Sequence, residues 1–423
     1  MALGVLGTAS ATTAQSAKAR TSSTITVIMH YPSPPKYMLN EFTKQTGIKV
    51  NWETLGFADE QTKIAAAGEA GAYFADATDV DWSAIGEYAK TGWFIPLNKY
   101  FNEAALKKDM PQISSFVAPN GQLLGVPFDS EYITPTINTR DFAHAGIKGT
   151  PTTLAEFTAD LKTLQKSGFA HPLDIPFAAA AGEAQCWFQV AEDFGGSVVS
   201  KTFAPEFTSP SSPGYQALKW MINAYKSGLV PAANINMIDL GALTTEMAHN
   251  RVAAAICDYS GDVGSIYDVS SISSVVNQIA YISDPGVKGP VPGLANMDGI
   301  GIPTTAHNVA GAVEFLKWFN STENQAIWSG LDGAKGIIAG IPLPTRISSL
   351  QLLAAKKVLS ESQERALVAG LEDSLPIFPG KAPAGYIPFY TTVYDTIHSA
   401  AAGQLTLQQA VTTIANAARR ISG

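Results

Sequence analysis

Residues 25–52 read ITVIMHYPSPPKYMLNEFTKQTGIKVNW. Ile25 to Met29 is an apolar, β-branched run that predicts a buried strand, and Ile48-Lys49-Val50-Asn51-Trp52 alternates as a half-buried strand does. Between them Met38, Leu39 and Phe42 supply an apolar helical face, and Gly47 stands where a C-cap glycine ends a helix. Strand, helix, strand is the unit of an α/β fold in which helices cover a mostly parallel sheet.

The same logic continues outward. A third strand is predicted to end near Val80, followed by a helix through Ile85, Tyr88 and Ala89 that stops at Gly92. Thr153 and Glu156 form a capping box ahead of the stripe Leu154, Phe157, Leu161, Leu164. A second stripe, Tyr215, Leu218, Ile222, Tyr225, terminates at Gly228, and Val252 to Cys257 reads as a short strand. Pro285, Gly286, Gly289, Pro290, Pro292 and Gly293 mark a loop before a strand at Gly299 to Ile302. Ala312, Phe315, Leu316 and Phe319 fit a helix at i, i+3, i+4, i+7, and the last helix is capped by Thr406 with Gln409. No repeat of 20 to 50 residues interrupts this pattern.

A chain of 423 residues exceeds what one hydrophobic core usually serves, so two domains are expected. Apolar residues make up 46 %, while charged residues, at 15 %, fall well below the usual ~25 %. The net charge is −8, and basic runs do not exceed pairs such as Lys107-Lys108, which cannot track a phosphate backbone; nucleic acid is not an expected partner. The low charge content suits an acidic exterior, where many carboxylates are protonated. Residues 1–20 contain no acid, a short apolar piece at Ala2 to Leu6, and Ala-x-Ala-like sites at residues 15–19, which together read as the tail of a secretion signal. No run of 18 apolar residues follows. Cys186 and Cys257 are the two cysteines; they could form one disulfide in an oxidising compartment, but two buried free thiols is the plainer expectation.

The usual catalytic patterns are missing. The six histidines, His30, His144, His171, His249, His307 and His398, include no pair at i, i+4, and with two cysteines a structural zinc site is not expected. Phosphate loops and nucleophile elbows do not occur, and Gly333 to Gly336 fits an ordinary turn. Asp129 with Glu131 is the local carboxylate pair that a glycosidase would need, though a hydrogen-bonding role explains it more simply. No metal or cofactor is expected.

Several segments, read in order over residues 24–421, resemble the family 1 extracellular solute-binding proteins of ABC transporters, the maltose-binding-protein group. They are Phe42 to Val50, Asp79 to Gly92 with Pro96-Leu97, Gly121 to Phe128, Ala145-Gly146-Ile147 with Pro151 to Phe157, Ala312 to Gln325, and Gly403 to Ala410. The resemblance implies a two-lobed, type II periplasmic-binding-protein-like α/β fold, with ligand held in a cleft between lobes joined by a hinge. Lobe one is then expected at 21–130 and 285–338, and lobe two at 131–284 and 339–423. It also implies a secreted, monomeric, non-enzymatic receptor that delivers a small molecule, in the first instance a sugar, to a membrane permease.

Sugars present apolar ring faces ringed by hydroxyls, so their sites need aromatic platforms beside polar side chains. Trp82, flanked by Asp81 and Ser83, resembles the family's lobe-one ligand loop, and Glu183, Gln185 and Trp187 resemble its lobe-two contacts. Tyr259, Asp298, Tyr390 and Tyr394 match later positions that approach the ligand, with His30, Tyr31 and Glu131 completing the set and Arg346 as a further charged candidate. Two other classes remain open: the same fold binding a polyamine, ferric ion or other solute, and a secreted carbohydrate-active enzyme. Polyamine binding would want several acids with aromatics and little Arg; ferric binding would want clustered Tyr, His and carboxylates.

Overall fold

The computed structural model describes residues 23–179, 181–237, 240–331 and 343–422. The predicted leader at 1–20 and the turn at 333–336 lie outside them. The first three strands, β1 (Ser23–Met29), β2 (Ile48–Thr54) and β3 (Ala77–Asp81), pair in parallel, β1 lying between the other two. The helix between β1 and β2, Lys36–Thr46, buries Met38 and Phe42 and ends on Gly47, whose φ of 76° is left-handed and suits a residue without Cβ.

The chain then leaves this lobe along β4 (Gly125–Asn138), a strand of 14 residues. Two short strands, β5 (Leu173–Asp174) and β6 (Ala254–Tyr259), and then β7 (Ile279–Tyr281), belong to the far half, where β6 and β7 pair with the second half of β4. The predicted loop at 285–293 carries a two-residue hairpin, β8 (Asp284–Pro285) with β9 (Pro290–Val291). Finally β10 (Ala295–Gly301) returns and inserts between β3 and β4, giving the order β2-β1-β3-β10-β4-β6-β5. Parallel pairing holds at β1–β2, β1–β3 and β5–β6, whereas β10 and β4 run antiparallel to their neighbours, so the sheet is mixed. The reason is connectivity: a strand that carries the chain back between lobes runs opposite to the one that carried it out.

Three segments lie side by side where the lobes meet. Ile133 N donates to Leu294 O at 2.8 Å, Ala295 N to Leu375 O at 2.7 Å, and Leu375 N to Gly293 O at 2.9 Å. A Cβ on Gly293 would stand 2.0 Å from Ile133 O, so only glycine lets these backbones approach. Helices sort onto the two sides by their apolar stripes. Val309–Phe319 packs on β1, and the capped helix Leu154–Ser167 buries Leu154, Phe157, Leu161 and Leu164 in the other half. Tyr386–Ala401 and Leu407–Ile421 pack on each other and on Ala181–Asp193 and Pro213–Lys226.

Residues 345–348 pack on Asp109 and Pro127. Arg346 Nη1 lies 2.5 Å from Asp109 Oδ2, Ser348 N donates to Asp109 Oδ1 at 2.8 Å, and Thr345 Oγ1 donates to Pro127 O at 3.2 Å. A polar lattice centred on Asp109 and Gln325, which no hydrophobic pattern reveals, holds this segment on the first side. Arg346, the charged candidate, is therefore occupied by a carboxylate and by Asn320 O.

Candidate functional site

A cleft of about 870 Å³ opens between the lobes. His30 and Asp81 follow or end β1 and β3, Glu131 lies in β4, Asn296 and Asp298 in β10, and Tyr259 ends β6. The adjacent strands β3, β10, β4 and β6 bring these side chains together at the cleft. Gln185 comes from the first turns of the helix Ala181–Asp193, and Tyr390 and Tyr394 from the helix Tyr386–Ala401.

Local geometry explains how each is aimed. Asp81 Oδ1 accepts from Ser83 N at 2.7 Å and caps the single turn Trp82–Ala84, holding Trp82 beside Phe378 and Tyr386, with ring centroids 6.2 and 6.0 Å away. Tyr259 Oη donates to Gln185 Oε1 at 2.7 Å, and Gln185 Nε2 donates to Asn296 Oδ1 at 3.3 Å, a chain that reaches from lobe two to the crossing strand. Tyr390 and Tyr394 meet edge to face at 5.9 Å, the i, i+4 spacing of one helix face. Glu131 projects toward Gly261, where a Cβ would stand 2.6 Å from its Oε1, so the absence of a side chain makes room for the carboxylate.

The floor is crowded with acids. Asp298 is in register with Asp81 across β3 and with Asp129 across β4. Tyr31 Oη reaches Asp129 at 2.5 Å and Asp298 at 2.8 Å. Burial, then the charge of Asp298, push Asp129 up to about 7, against hydrogen bonds from Tyr31, Leu343 N and Ser130 N. Burial also raises Asp81, against its bonds from Ser83, and raises Glu131 well above the carboxylate range, with Asp129, Asp298 and Asp258 adding to it. Among the described residues, the cation in this group is His30. Burial works against its charge, yet Asp298, whose Oδ2 lies 3.8 Å from Nε2, the hydrogen bond with Glu60 at 3.0 Å and the field of Asp79 push the imidazole up to about 11. His30, Glu60 and Asp79 offer ligand atoms within 4.8 Å of one another. The same carboxylates that would join a metal keep the imidazole protonated, and a protonated ring has no lone pair to give.

Ten of the candidate residues line the cleft: His30, Asp81, Trp82, Ser83, Glu131, Gln185, Tyr259, Asp298, Tyr390 and Tyr394. Two do not. Trp187 is fully buried in lobe two, its Nε1 donating to Gly214 O at 2.8 Å and its ring edge-on to Phe207, because its place on the helix faces the core. Tyr31 stands behind the wall, against Phe128, and orients Asp129 and Asp298. The side chain of Glu183 lies outside the described residues. Phe57, Gln61, Glu87, Trp93, Asn296, Ile387 and Thr391 also line the cleft and were not among the candidates. A signal existed for the helix Tyr386–Ala401: Tyr386, Phe389, Val393 and Ile397 form its inward stripe, and Ile387, Tyr390, Thr391 and Tyr394 form a second one.

Cys186 and Cys257 are bonded to each other, with Cα atoms 5.4 Å apart, so the expectation of two free thiols is overturned. Helix Ala181–Asp193 packs on β6 at this point, a tertiary proximity across 71 residues that spacing alone does not reveal.

A family model described as bacterial extracellular solute-binding protein matches residues 37–353, well over half of the chain. The chain belongs to that family. Its members are ligand-binding proteins of transport systems rather than enzymes. Solved structures agree on the fold of this solute-binding protein. It is 18 % identical to maltose-bound T. maritima MalE3, covering 94 % of this chain and 99 % of that one, with a TM-score of 0.77. An ABC transporter solute-binding protein from Agrobacterium radiobacter in complex with ribitol is 20 % identical over 94 % and 98 % of the two chains, with a TM-score of 0.78. The GacH receptor of Streptomyces glaucescens, solved unliganded and with acarbose, is 14 % identical over 95 % and 99 %, with a TM-score of 0.76. No curated sequence relative matches the chain. Among the described residues, no helix is long and apolar enough to cross a membrane.

Proposed function

We propose that this solute-binding protein is the extracytoplasmic receptor of an ABC importer and takes a carbohydrate by closing its lobes on it. The observation that carries this reading is the interlobe cleft itself, where the rings of Trp82, Tyr259, Tyr390 and Tyr394 stand among Asp81, Glu131, Gln185, Asn296 and Asp298. Aromatic faces match the apolar faces of a sugar ring, and the acids and amides match its hydroxyls. The structural neighbours named above are described with maltose, ribitol and acarbose, which supports the same ligand class.

The hinge in this reading is the triple crossing at Ile133, Leu294 and Leu375. Lobe one then comprises residues 23–132, 295–331 and 343–373, and lobe two residues 133–179, 181–237, 240–294 and 374–422. Closure about this hinge buries the ligand on both sides, and the ligand stabilises the closed form because it contacts both lobes only there. Secretion by the leader at 1–20, a monomeric state, delivery to a membrane permease and the absence of catalysis complete the proposal.

Thermal unfolding against a panel of mono-, di- and oligosaccharides, polyols, polyamines and ferric ion tests it. A sugar at about 100 times its dissociation constant adds ~2.7 kcal/mol of stability, which raises the melting temperature measurably. Recovery of that sugar unchanged is the expected result. A panel in which no sugar or polyol shifts the midpoint sinks the ligand class, and a sugar that is consumed sinks the receptor reading in favour of an enzyme.

A further inference from the structure

Gln189 is fully buried in the helix Ala181–Asp193, and both ends of its amide are engaged. Its Oε1 accepts from Leu294 N at 2.6 Å, and its Nε2 donates to Asp193 Oδ1 at 3.1 Å, one turn further along the same helix. Leu294 belongs to the triple crossing. The β4–β10 ladder reaches Ala295 opposite Tyr132, while Ile133 is already in register with Tyr259 of β6. A lobe-two side chain therefore takes up a backbone donor of the crossing segment, a group that is costly to bury without a partner.

Gln185, one turn before Gln189, makes a second contact two residues further along the same segment, where its Nε2 donates to Asn296 Oδ1 at 3.3 Å. Four helical residues rise about 6 Å and two strand residues about 6.6 Å, so helix and strand, running in opposite directions, present these two rungs in step. One rung is short and buried at the hinge. The other is long and stands in the cleft wall, which Gln185 and Asn296 both line. The Cys186–Cys257 bond ties the same helix to β6, so the helix moves with lobe two.

We propose that Gln189 is a positioning residue for ligand binding: its grip on Leu294 sets the angle between the helix and β10 and so holds Gln185 where a ligand meets Gln185 and Asn296 together. The inference rests on the closing-receptor reading above and adds the pivot. Rotation about Leu294 leaves the Gln189 rung in place and changes the separation of Gln185 and Asn296, because displacement grows with distance from the pivot. A ligand bridging Gln185 and Asn296 therefore acts on the rung that closure moves.

Two measurements on the full chain test it. In the first, spin labels are placed on the exposed positions 44 and 219, one on each lobe, by Lys44→Cys and Lys219→Cys, and the distance distribution is read without ligand by pulsed electron double resonance. Gln189→Met removes the acceptor and Gln189→Asn draws it back by one methylene; circular dichroism confirms folding, and either variant is expected to broaden the distribution. Gln325→Met, which breaks the buried bonds to Thr345 within lobe one, is expected to leave it unchanged. A Gln189 variant with the parent's distribution overturns the inference. In the second, maltose, ribitol and acarbose are titrated into the parent, Gln185→Ala, Gln189→Met and the double variant. Each single change is expected to weaken binding about tenfold or more, and the double variant to be no weaker than the worse single one, because Gln189 acts through Gln185. Additive losses overturn the inference. No binding of any of the three by the parent counts against the carbohydrate reading, and the spin-label distances then decide the role of Gln189 by themselves.

Discussion

Asp298 and Asp129 are in register on β10 and β4, and both carboxylates face the single hydroxyl of Tyr31, at 2.8 and 2.5 Å. One hydroxyl has one proton to donate, so Tyr31 cannot serve both carboxylates at once, and like charges directly opposite each other in a sheet repel. Burial and the field of Asp298 accordingly push Asp129 up to about 7.

Stability should therefore fall on the alkaline side. An unfolded aspartate titrates near ~4. The folded chain thus keeps a proton on Asp129 that the unfolded chain releases, and this contribution is complete below about pH 4 and lost as pH rises through 7. Burial raises Asp79, Asp174, Asp193, Asp262 and Asp284 in the same direction, and each has a buried carboxylate oxygen with no partner among the described residues. His30 has the same sign, its contribution being lost as pH rises toward about 11. Asp109 opposes them: although burial pushes it up, bonds from Ser348 and Arg346 hold it low, so its contribution is lost on the acid side. The melting midpoint is expected to be higher at pH 5 than at pH 8, and Asp129→Asn should flatten part of that fall. A midpoint at pH 8 equal to or above that at pH 5 would refute this account and, with it, the adaptation to an acidic exterior that the low charge content suggests.

The disulfide should matter to affinity as well as to stability. Cys186 follows Gln185, and Cys257 lies two residues before Tyr259, so the bond anchors both partners of the Tyr259–Gln185 hydrogen bond. Replacing both cysteines with serine is expected to cost about 2–4 kcal/mol in chemical denaturation, the usual range for a bond closing a loop of this length. Ligand affinity should fall with it, measured by titration at a temperature where the variant is folded.

Trp82 offers an indole face to the cleft and leans on Phe378 and Tyr386. Trp82→Ala should weaken ligand binding about tenfold or more, with Trp82→Phe recovering part of the loss, because an aromatic platform contributes roughly 1–2 kcal/mol. Equal affinity for all three proteins in a titration would show that the ring packs without touching ligand.

Phe57 and Ile387 stand on opposite lobes at the cleft, 44 % and 43 % exposed. Exposed to this degree, they add little to the unliganded fold, so Phe57→Ser and Ile387→Ser should leave the melting midpoint within about 0.5 kcal/mol of the parent. Closure would bury both, so each variant is expected to bind ligand more weakly and to show a smaller ligand-induced decrease in the radius of gyration by small-angle scattering.

Much of the fold was legible in the sequence because it follows from local rules. The strand at Ile25 to Met29, the helix closed by Gly47, the capping boxes at Thr153 and Thr406 and the stripe of Leu154, Phe157, Leu161 and Leu164 each arise from propensity, capping or periodicity within a few residues, and each is present. Trp82 and Tyr259 were readable for the same reason, as aromatic residues placed just beyond or at the end of apolar strands. Trp187 failed that logic, since on a helix the difference between cleft and core is one of rotation, and its helix turns it into the core beside Phe207.

By itself, then, the sequence determined where strands and helices begin and end, because hydrogen bonding and side-chain periodicity act over short distances. Tertiary structure alone decided the rest: that β10 returns between β3 and β4, that Arg346 and Ser348 meet Asp109, that Cys186 meets Cys257, and that Asp81, Asp298 and Asp129 share one row. Each of these joins residues far apart in the chain, and their encounter depends on how whole lobes pack rather than on any window of sequence. The charge of the cleft belongs to the same class, since acids scattered from Asp81 to Asp298 become one field only when the sheet brings their strand ends together.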